Sequence, residues 1–271
     1  MKDLVLLLPS TFTADEKNQH VKAYKVGEVA RAATTFGVNR IIIYYDKDPL
    51  FNSLKLGNWL LKVFSYVNTP PYLRKALFEK DSELKSVGVV PPIAGPHHQP
   101  EQFGLPYRYG IVSKIEGSKA VVELGSEGSV DVTAGDLKQG DLVLVNAETE
   151  ELVSKESLKE YFGFSVSFAN APLPVVLKGL SEQGYYILGT SRKGKPINKV
   201  AIPLKEKTAL VFGSAYRGLL DLLSKPEQEQ LVDLMVNLAP GQNSATMRTE
   251  EAVYYSLSLL NYLHLKGVDN A

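Results

Sequence analysis

The feature that most limits the fold lies in the first 46 residues. "LVLLL" (Leu4 to Leu8) is a continuous apolar run stopped by Pro9 and Ser10, and "RIIIYYD" (Arg40 to Asp46) is a second one. Short apolar runs without alternation fit strands buried on both faces. Between them Val26, Val29, Ala30 and Ala33 recur at helical spacing, which predicts a helix from about His20 to Phe36 that Gly37 stops. Strand, helix and strand in this order make a crossover unit, so the two strands run parallel. Helices must then cover both faces of that sheet.

The texture changes further on. "NSLKLGNWLLKVFSYV" (Asn52 to Val67) reads as a long helix, and "TPPYLRKALF" begins another after Pro70 and Pro71. Val89 to Pro106 is rich in Pro and Gly and reads as a linker. Over Tyr107 to Ala147, "YGIVSKIEG", "KAVVELG", "GSVDV" and "DLVLVNA" are short alternating strands with Gly turns, the pattern of a small β-barrel. From Gly163 the α/β texture returns. "PLPVVLKGLSEQG" fits a helix, and "YYILGTS", "TALVFGS" and "LVDLMVNLA" read as strands. A final helix from about Thr249 to Leu265 carries an apolar stripe of Ala252, Tyr255, Leu259 and Leu263. The expected organisation is an α/β domain over residues 1–90 and 160–271, interrupted by a linker and β module over 91–159.

Composition removes several function classes. There is no cysteine, so disulfides, thiolate metal sites and cysteine nucleophiles are excluded. His97 and His98 are adjacent, and neighbouring side chains rarely converge on one ion, so no metal site is expected. "GPHH" instead fits a hinge into the β module or an RNA contact. The apolar run at Leu4 to Leu8 is too short for a leader or a membrane span, which gives a cytoplasmic expectation. Formal net charge is zero, so any nucleic-acid surface must be a local patch. Lys178 to Lys207 is such a patch, with seven Lys or Arg against two acids. Gly104 to Asn146 has four basic and six acidic residues, with Phe103, Tyr107, Arg108 and Tyr109 clustered at its entrance.

In parallel α/β sheets ligands bind beyond the carboxyl ends of the strands. Three strand ends here carry small residues: "LGTSRKGK" (Leu188 to Lys195), "FGSAYRGL" (Phe212 to Leu219) and "APGQNSATMR" (Ala239 to Arg248). Such residues let backbone groups approach a ligand closely, although any single loop of this kind is also an ordinary turn. Gly213 and Gly218 have the spacing of a phosphate-binding P-loop, but Leu219 and Leu220 stand where Lys and Ser or Thr are required. No G-x-G-x-x-G follows the first strand, so the dinucleotide fingerprint is missing as well.

These loops carry a resemblance. "LVFGSAYRGL" resembles the second motif of the SPOUT (SpoU–TrmD) methyltransferase superfamily, and "NLAPGQNSATMRTEEA" is similar to its third. "GEVARAATTFGVNRIII", with Arg31, Phe36 and Gly37, is similar to its first. "TPPYLRKALF", "PPIAGPHH" and "MRTEEA" resemble an archaeal and eukaryotic subfamily of RNA methyltransferases with a β-barrel inserted in the knotted domain. The resemblance covers nearly the whole chain. It implies a trefoil-knotted, Rossmann-like parallel sheet with an inserted OB-like barrel, working as a homodimer. It also implies S-adenosyl-L-methionine as cofactor. The residues implied to hold it are Leu188, Gly189 and Thr190, then Phe212, Gly213, Ser214 and Gly218, then Asn237, Leu238, Pro240, Gly241, Asn243, Ser244, Ala245 and Thr246.

Arg31 and Arg217 are the implied catalytic residues, with Arg192, Lys193, Lys195 and Arg248 toward RNA. A surface arginine on a charged helix face, or an ion pair of Arg248 with Glu250 or Glu251, would explain the same residues without RNA. Thr249 or Thr246 is expected to cap the last helix, with Glu250 and Glu251 suited to its positive end. Ala215 stands where many SpoU-type members have an acid, and Ser244-Ala245-Thr246 replaces their Ser-Leu-Asn. The catalytic detail of ribose 2′-O-methylation therefore does not transfer, and a base nitrogen of ribosomal RNA is the expected target. The alternatives are a knotted RNA-binding protein without catalysis and a methyltransferase of small molecules or proteins.

Overall fold

The computed structural model describes residues 3–125, 128–203 and 205–268. In chain order the first half contains β1 (Asp3–Pro9), α1 (Gln19–Thr35), β2 (Arg40–Tyr45), α2 (Ser53–Asn68), α3 (Pro71–Leu77) and the short strands β3 (Tyr107–Glu116), β4 (Lys119–Glu123), β5 (Ser129–Thr133), β6 (Leu142–Asn146) and β7 (Glu151–Leu152). The second half contains β8 (Ser165–Pro172), α4 (Leu173–Glu182), β9 (Tyr186–Pro196), β10 (Lys207–Val211), α5 (Leu219–Leu222), α6 (Lys225–Leu231), β11 (Leu234–Asn237) and α7 (Thr249–Val268). The chain divides into two compact units, residues 1–65, 85–91 and 164–271 in one and residues 66–84 and 92–163 in the other. Residues 66–84, expected with the α/β domain, cluster with the β module instead.

The first unit holds a six-stranded sheet in the order β11-β9-β10-β1-β2-β8, and every pairing is parallel. This is what the two unalternating apolar runs require. Val5 and Leu7 of β1, Ala209 and Val211 of β10 and Ile187 of β9 pack with Leu173, Leu177 and Leu180 of α4. Successive strand residues face opposite sides, so Leu4, Leu6 and Leu8 are buried on the other face. Asn18 caps α1 by accepting from the His20 backbone N–H at 2.9 Å, and Gly37 ends it at φ +67°, where a Cβ would be strained.

Two elements depart from expectation. "LVDLMVNLA" is not one strand: α6 ends at Leu231 and β11 begins at Leu234, with the Asp233 carboxylate accepting the Ile187 N–H at 2.7 Å between them. On α7 the buried residues are Thr249, Val253, Ser256, Leu257 and Leu260. The expected stripe of Ala252, Tyr255, Leu259 and Leu263 lies one position off this face, half-buried or exposed. Both stripes have helical spacing, so periodicity alone could not choose between them.

The second unit is built on a five-stranded antiparallel sheet, β5-β4-β3-β6-β7, whose edge strands β5 and β7 approach each other so that it nearly closes. Val112, Ala120, Val122, Val132 and Val145 fill its core. His97 and His98 are buried beneath Phe162, their Nε2 atoms 3.0 Å from the Asn68 side-chain oxygen and the Asn68 carbonyl. Burial holds both imidazoles below their usual pKa, His98 at about 4. They are interior packing groups, which leaves no RNA contact for them. Among the described residues no three His, Cys, Asp or Glu are grouped to hold a metal, and no helix is long and apolar enough to cross a membrane.

Candidate active site

A cavity of about 370 Å³ opens at the carboxyl ends of β9, β10 and β11. Its size falls within the range of small-molecule sites, roughly 300–1,000 Å³. Three stretches of backbone make the walls: Thr190 to Lys193, Phe212 to Gly218, and Val236 to Ala239. Leu220 and Asp221 of α5, Gln242, Ala245 to Met247, and Thr249, Ala252, Tyr255 and Ser256 of α7 complete it.

The first wall is an excursion of β9. β11 pairs Met235 with Gly189 and the very next residue, Val236, with Lys195, so Thr190 to Gly194 leave the ladder. Thr190 Oγ1 anchors the excursion to the Val211 carbonyl at 2.8 Å, and Asn237 Nδ2 donates to the Arg192 carbonyl at 2.9 Å. The Arg192 guanidinium donates to the Ala245 carbonyl. The third loop is thereby tied over the first, although its residues Ser244 to Thr246 are themselves exposed.

The second wall is a tight turn after β10. Ser214 N–H donates to the Arg217 carbonyl at 2.8 Å, and Arg217 N–H donates to Ser214 Oγ at 3.1 Å. A Cβ on Gly213 would lie 2.8 Å from that same carbonyl. The glycine is thus demanded by the turn folding on itself before any ligand is considered. Buried Tyr44 donates its hydroxyl to the Phe212 carbonyl at 2.7 Å, and burial, with the Asp46 charge nearby, keeps its phenol pKa well above 10. Arg217 bonds to Asp46, donates to the Lys47 carbonyl at 2.8 Å and lies 3.6 Å from Asp48. Asp46 is only 3% exposed, and it also accepts from Thr11 Oγ1 and, through its N–H, donates to Ser10 Oγ at 3.1 Å. The ends of β1, β2 and β10 are therefore held by one buried carboxylate.

Of the implied cofactor residues, Thr190, Phe212, Gly213, Ser214, Gly218, Asn237, Leu238, Ala245 and Thr246 line the cavity. Leu188 and Gly189 do not. β9 stays in the ladder through Gly189, so Leu188 is in the sheet core and Gly189 packs on Met235. Pro240, Gly241, Asn243 and Ser244 fall outside the lining, on the outer part of the third loop. Arg217, Arg192 and Lys193 line the cavity, whereas Arg31 on α1, Lys195 and Arg248 do not. Arg248, not Thr246 or Thr249, takes the N-cap position of α7, its carbonyl accepting the Ala252 N–H at 2.8 Å and its own N–H donating to Glu251 at 3.0 Å. Asp46 escaped the sequence reading. Its signal was an acid directly after an apolar run, at a strand end.

Comparison with known proteins decides the family. Residues 3–260 match the family described as "Putative RNA methyltransferase". The chain belongs to this family. Among curated relatives, a human 28S rRNA (uridine-N(3))-methyltransferase is 28% identical over 95% of this chain and 77% of its own length. An uncharacterized protein of Haloarcula marismortui is 28% identical over 94% of this chain and 97% of its own. Among solved structures, the SpoU methyltransferase AviRb of Streptomyces viridochromogenes, in complex with AdoMet, aligns at TM-score 0.43 and 11% identity, over 97% of this chain and 58% of that one.

The cavity fits S-adenosyl-L-methionine, the methyl donor of such an enzyme. Phe212, Leu220, Val236 and Leu238 make part of the lining apolar, as an adenine requires, while the Thr190, Asn237 and Gln242 side chains are engaged in holding the loops, so main-chain groups would meet the polar ends of the cofactor. The strand-end loops expose main-chain groups that bulky residues would cover.

Proposed function

We propose that the protein transfers a methyl group from S-adenosyl-L-methionine to a base nitrogen of a uridine in large-subunit ribosomal RNA. The observation that carries this reading is near full-length similarity to relatives named for uridine-N3 methylation of 28S rRNA, in a chain whose motif loops enclose one cavity. Bound there, the sulfonium supplies an electrophilic methyl group, and transfer needs in-line placement of the acceptor more than covalent help. The residues of Thr190 to Lys193, Phe212 to Gly218 and Asn237 to Ala239 hold the donor. The N3–H proton of uridine passes to solvent water, the N3–CH3 bond forms as the S–CH3 bond breaks with release of S-adenosylhomocysteine, and Arg192 and Lys193 on the cavity wall favour the anionic base. Arg217 is occupied by Asp46 and positions the second loop.

We also infer the trefoil knot and an OB-type topology, the latter because β5-β4-β3-β6-β7 is the neighbour order of a five-stranded Greek-key barrel. A homodimer through α7 belongs to the same reading, since Tyr254, Tyr255, Tyr262 and Leu265 are exposed on it. Calorimetry with S-adenosylmethionine tests the cofactor site, with Leu238→Trp as the variant that adds bulk at the cavity wall after β11. Saturable binding lost in the variant is expected. Equal binding by both proteins would place the cofactor elsewhere.

A further inference from the structure

The second loop carries an aromatic residue that neither the cofactor nor the fold accounts for. Tyr216 lines the mouth of the cavity and is 61% exposed. Its ring stacks on Phe51 with centroids 5.8 Å apart and planes 9° from parallel. Beside Phe51, Leu50 is 80% exposed. Leu50 and Phe51 from the segment after β2 and Tyr216 from the second loop together make an apolar cluster at the surface, which single scattered apolar residues do not. An offset parallel pair also leaves part of each ring face open.

The shelf is held from both sides. Phe51 lies three residues after Asp48 and Tyr216 lies immediately before Arg217. Arg217 in turn binds Asp46 and the Lys47 carbonyl and lies near Asp48. Leu50 N–H donates to Asp48 Oδ1 at 2.8 Å, which shapes the turn that presents it. One ion-pair cluster thus fixes both loops that carry the rings. Its surroundings suit a polyanion: Arg192 and Lys193 line the same cavity, and Lys47 is exposed beside the cluster.

We propose that Phe51 and Tyr216 form a stacking platform that receives a nucleobase of the RNA at the mouth of the cofactor cavity. This rests on the methyltransferase reading above. Chemistry on a base requires that base to leave its stack, and an aromatic face replaces the lost contact. Stacking does not read base identity, so the platform contributes affinity and placement.

The test uses the full chain, oligouridylate as RNA probe, and Phe51→Ala, Tyr216→Ala and Tyr216→Phe variants. Calorimetry with S-adenosylmethionine on the wild type reports on the cofactor reading separately, so that reading can fail while the platform stands. Both alanine variants are expected to bind oligouridylate at least about fivefold more weakly, with Tyr216→Phe close to the wild type, since one base stacked on one ring is worth about that factor or more. Phe51→Ala, outside the cavity lining, is expected to keep the wild-type cofactor affinity, which separates loss of the platform from a damaged fold. Unchanged RNA affinity in both alanine variants would overturn the proposal. So would unchanged RNA affinity together with a shift in oligomeric state, which would assign the shelf to a contact between copies of this chain.

Discussion

At the residue scale, Asp46 has more consequences than any single glycine of the motif loops. It is buried, and its partners come from the ends of β1 and β10. Removing its charge leaves Arg217 beside a neutral amide with Nε already lacking a partner among the described residues. Breaking one side of a buried pair costs about 3–5 kcal/mol, less where one partner reaches solvent as Arg217 does in part. Asp46→Asn is therefore expected to lower stability by roughly 2 kcal/mol in urea unfolding and to weaken S-adenosylmethionine binding, because the second loop loses its anchor. Full cofactor affinity in this variant would show that the loop holds itself. The sequence offered little to single it out, since its identity as a network centre depends on Thr11 and Arg217 arriving from distant segments.

A second residue-scale expectation concerns acid. His98 is held neutral, its pKa lowered from 6.5 to about 4 by burial first, against the opposing hydrogen bond to Asn68. The unfolded chain then binds the extra proton between those values, so stability is full above about pH 6.5 and falls as pH drops toward 4. Urea midpoints should report a loss of about 2 kcal/mol from His98 between about pH 7 and about pH 5, with buried His97 adding in the same direction, and a smaller loss in His98→Gln. A pH dependence identical in the variant would remove His98 as its source.

At the element scale, β1, α1, β2, α2 and the strands β3 to β6 of the β module fall within a few residues of expectation because each carries its own signal, whereas β7 lies beyond the strands expected and "LVDLMVNLA" divides between α6 and β11. β8 had none: it alternates half-buried and exposed residues at the sheet edge and is recruited by β2. The excursion at Thr190 to Gly194 was equally hidden, since a strand that leaves its ladder and rejoins it reads as one strand. α7 shows the same limit, with two stripes of equal spacing. Its true face predicts that Leu257→Ala costs about 2–5 kcal/mol while Leu259→Ala costs clearly less. Denaturant unfolding measures both, and the reverse order would restore the stripe first expected from the sequence.

At the scale of the whole molecule, zero net charge conceals a local excess of five positive charges over Lys178 to Lys207. Arg192 and Lys193 from this segment reach the cavity wall, and Lys195, Lys199 and Lys205 are exposed. If about four of these meet phosphates, the affinity for single-stranded RNA falls with salt at a log–log slope of about −3. Fluorescence anisotropy across a salt series reads that slope, and salt-insensitive binding would argue for a substrate other than RNA.

Methyl transfer to a base nitrogen is tested most directly by incubating the protein with methyl-labelled S-adenosylmethionine and large-subunit ribosomal RNA, followed by nucleoside analysis of the labelled product. Label is expected in N3-methyluridine and is lost in Leu238→Trp. Label on the ribose 2′-oxygen, or no label from a protein that binds both cofactor and RNA, would contradict it.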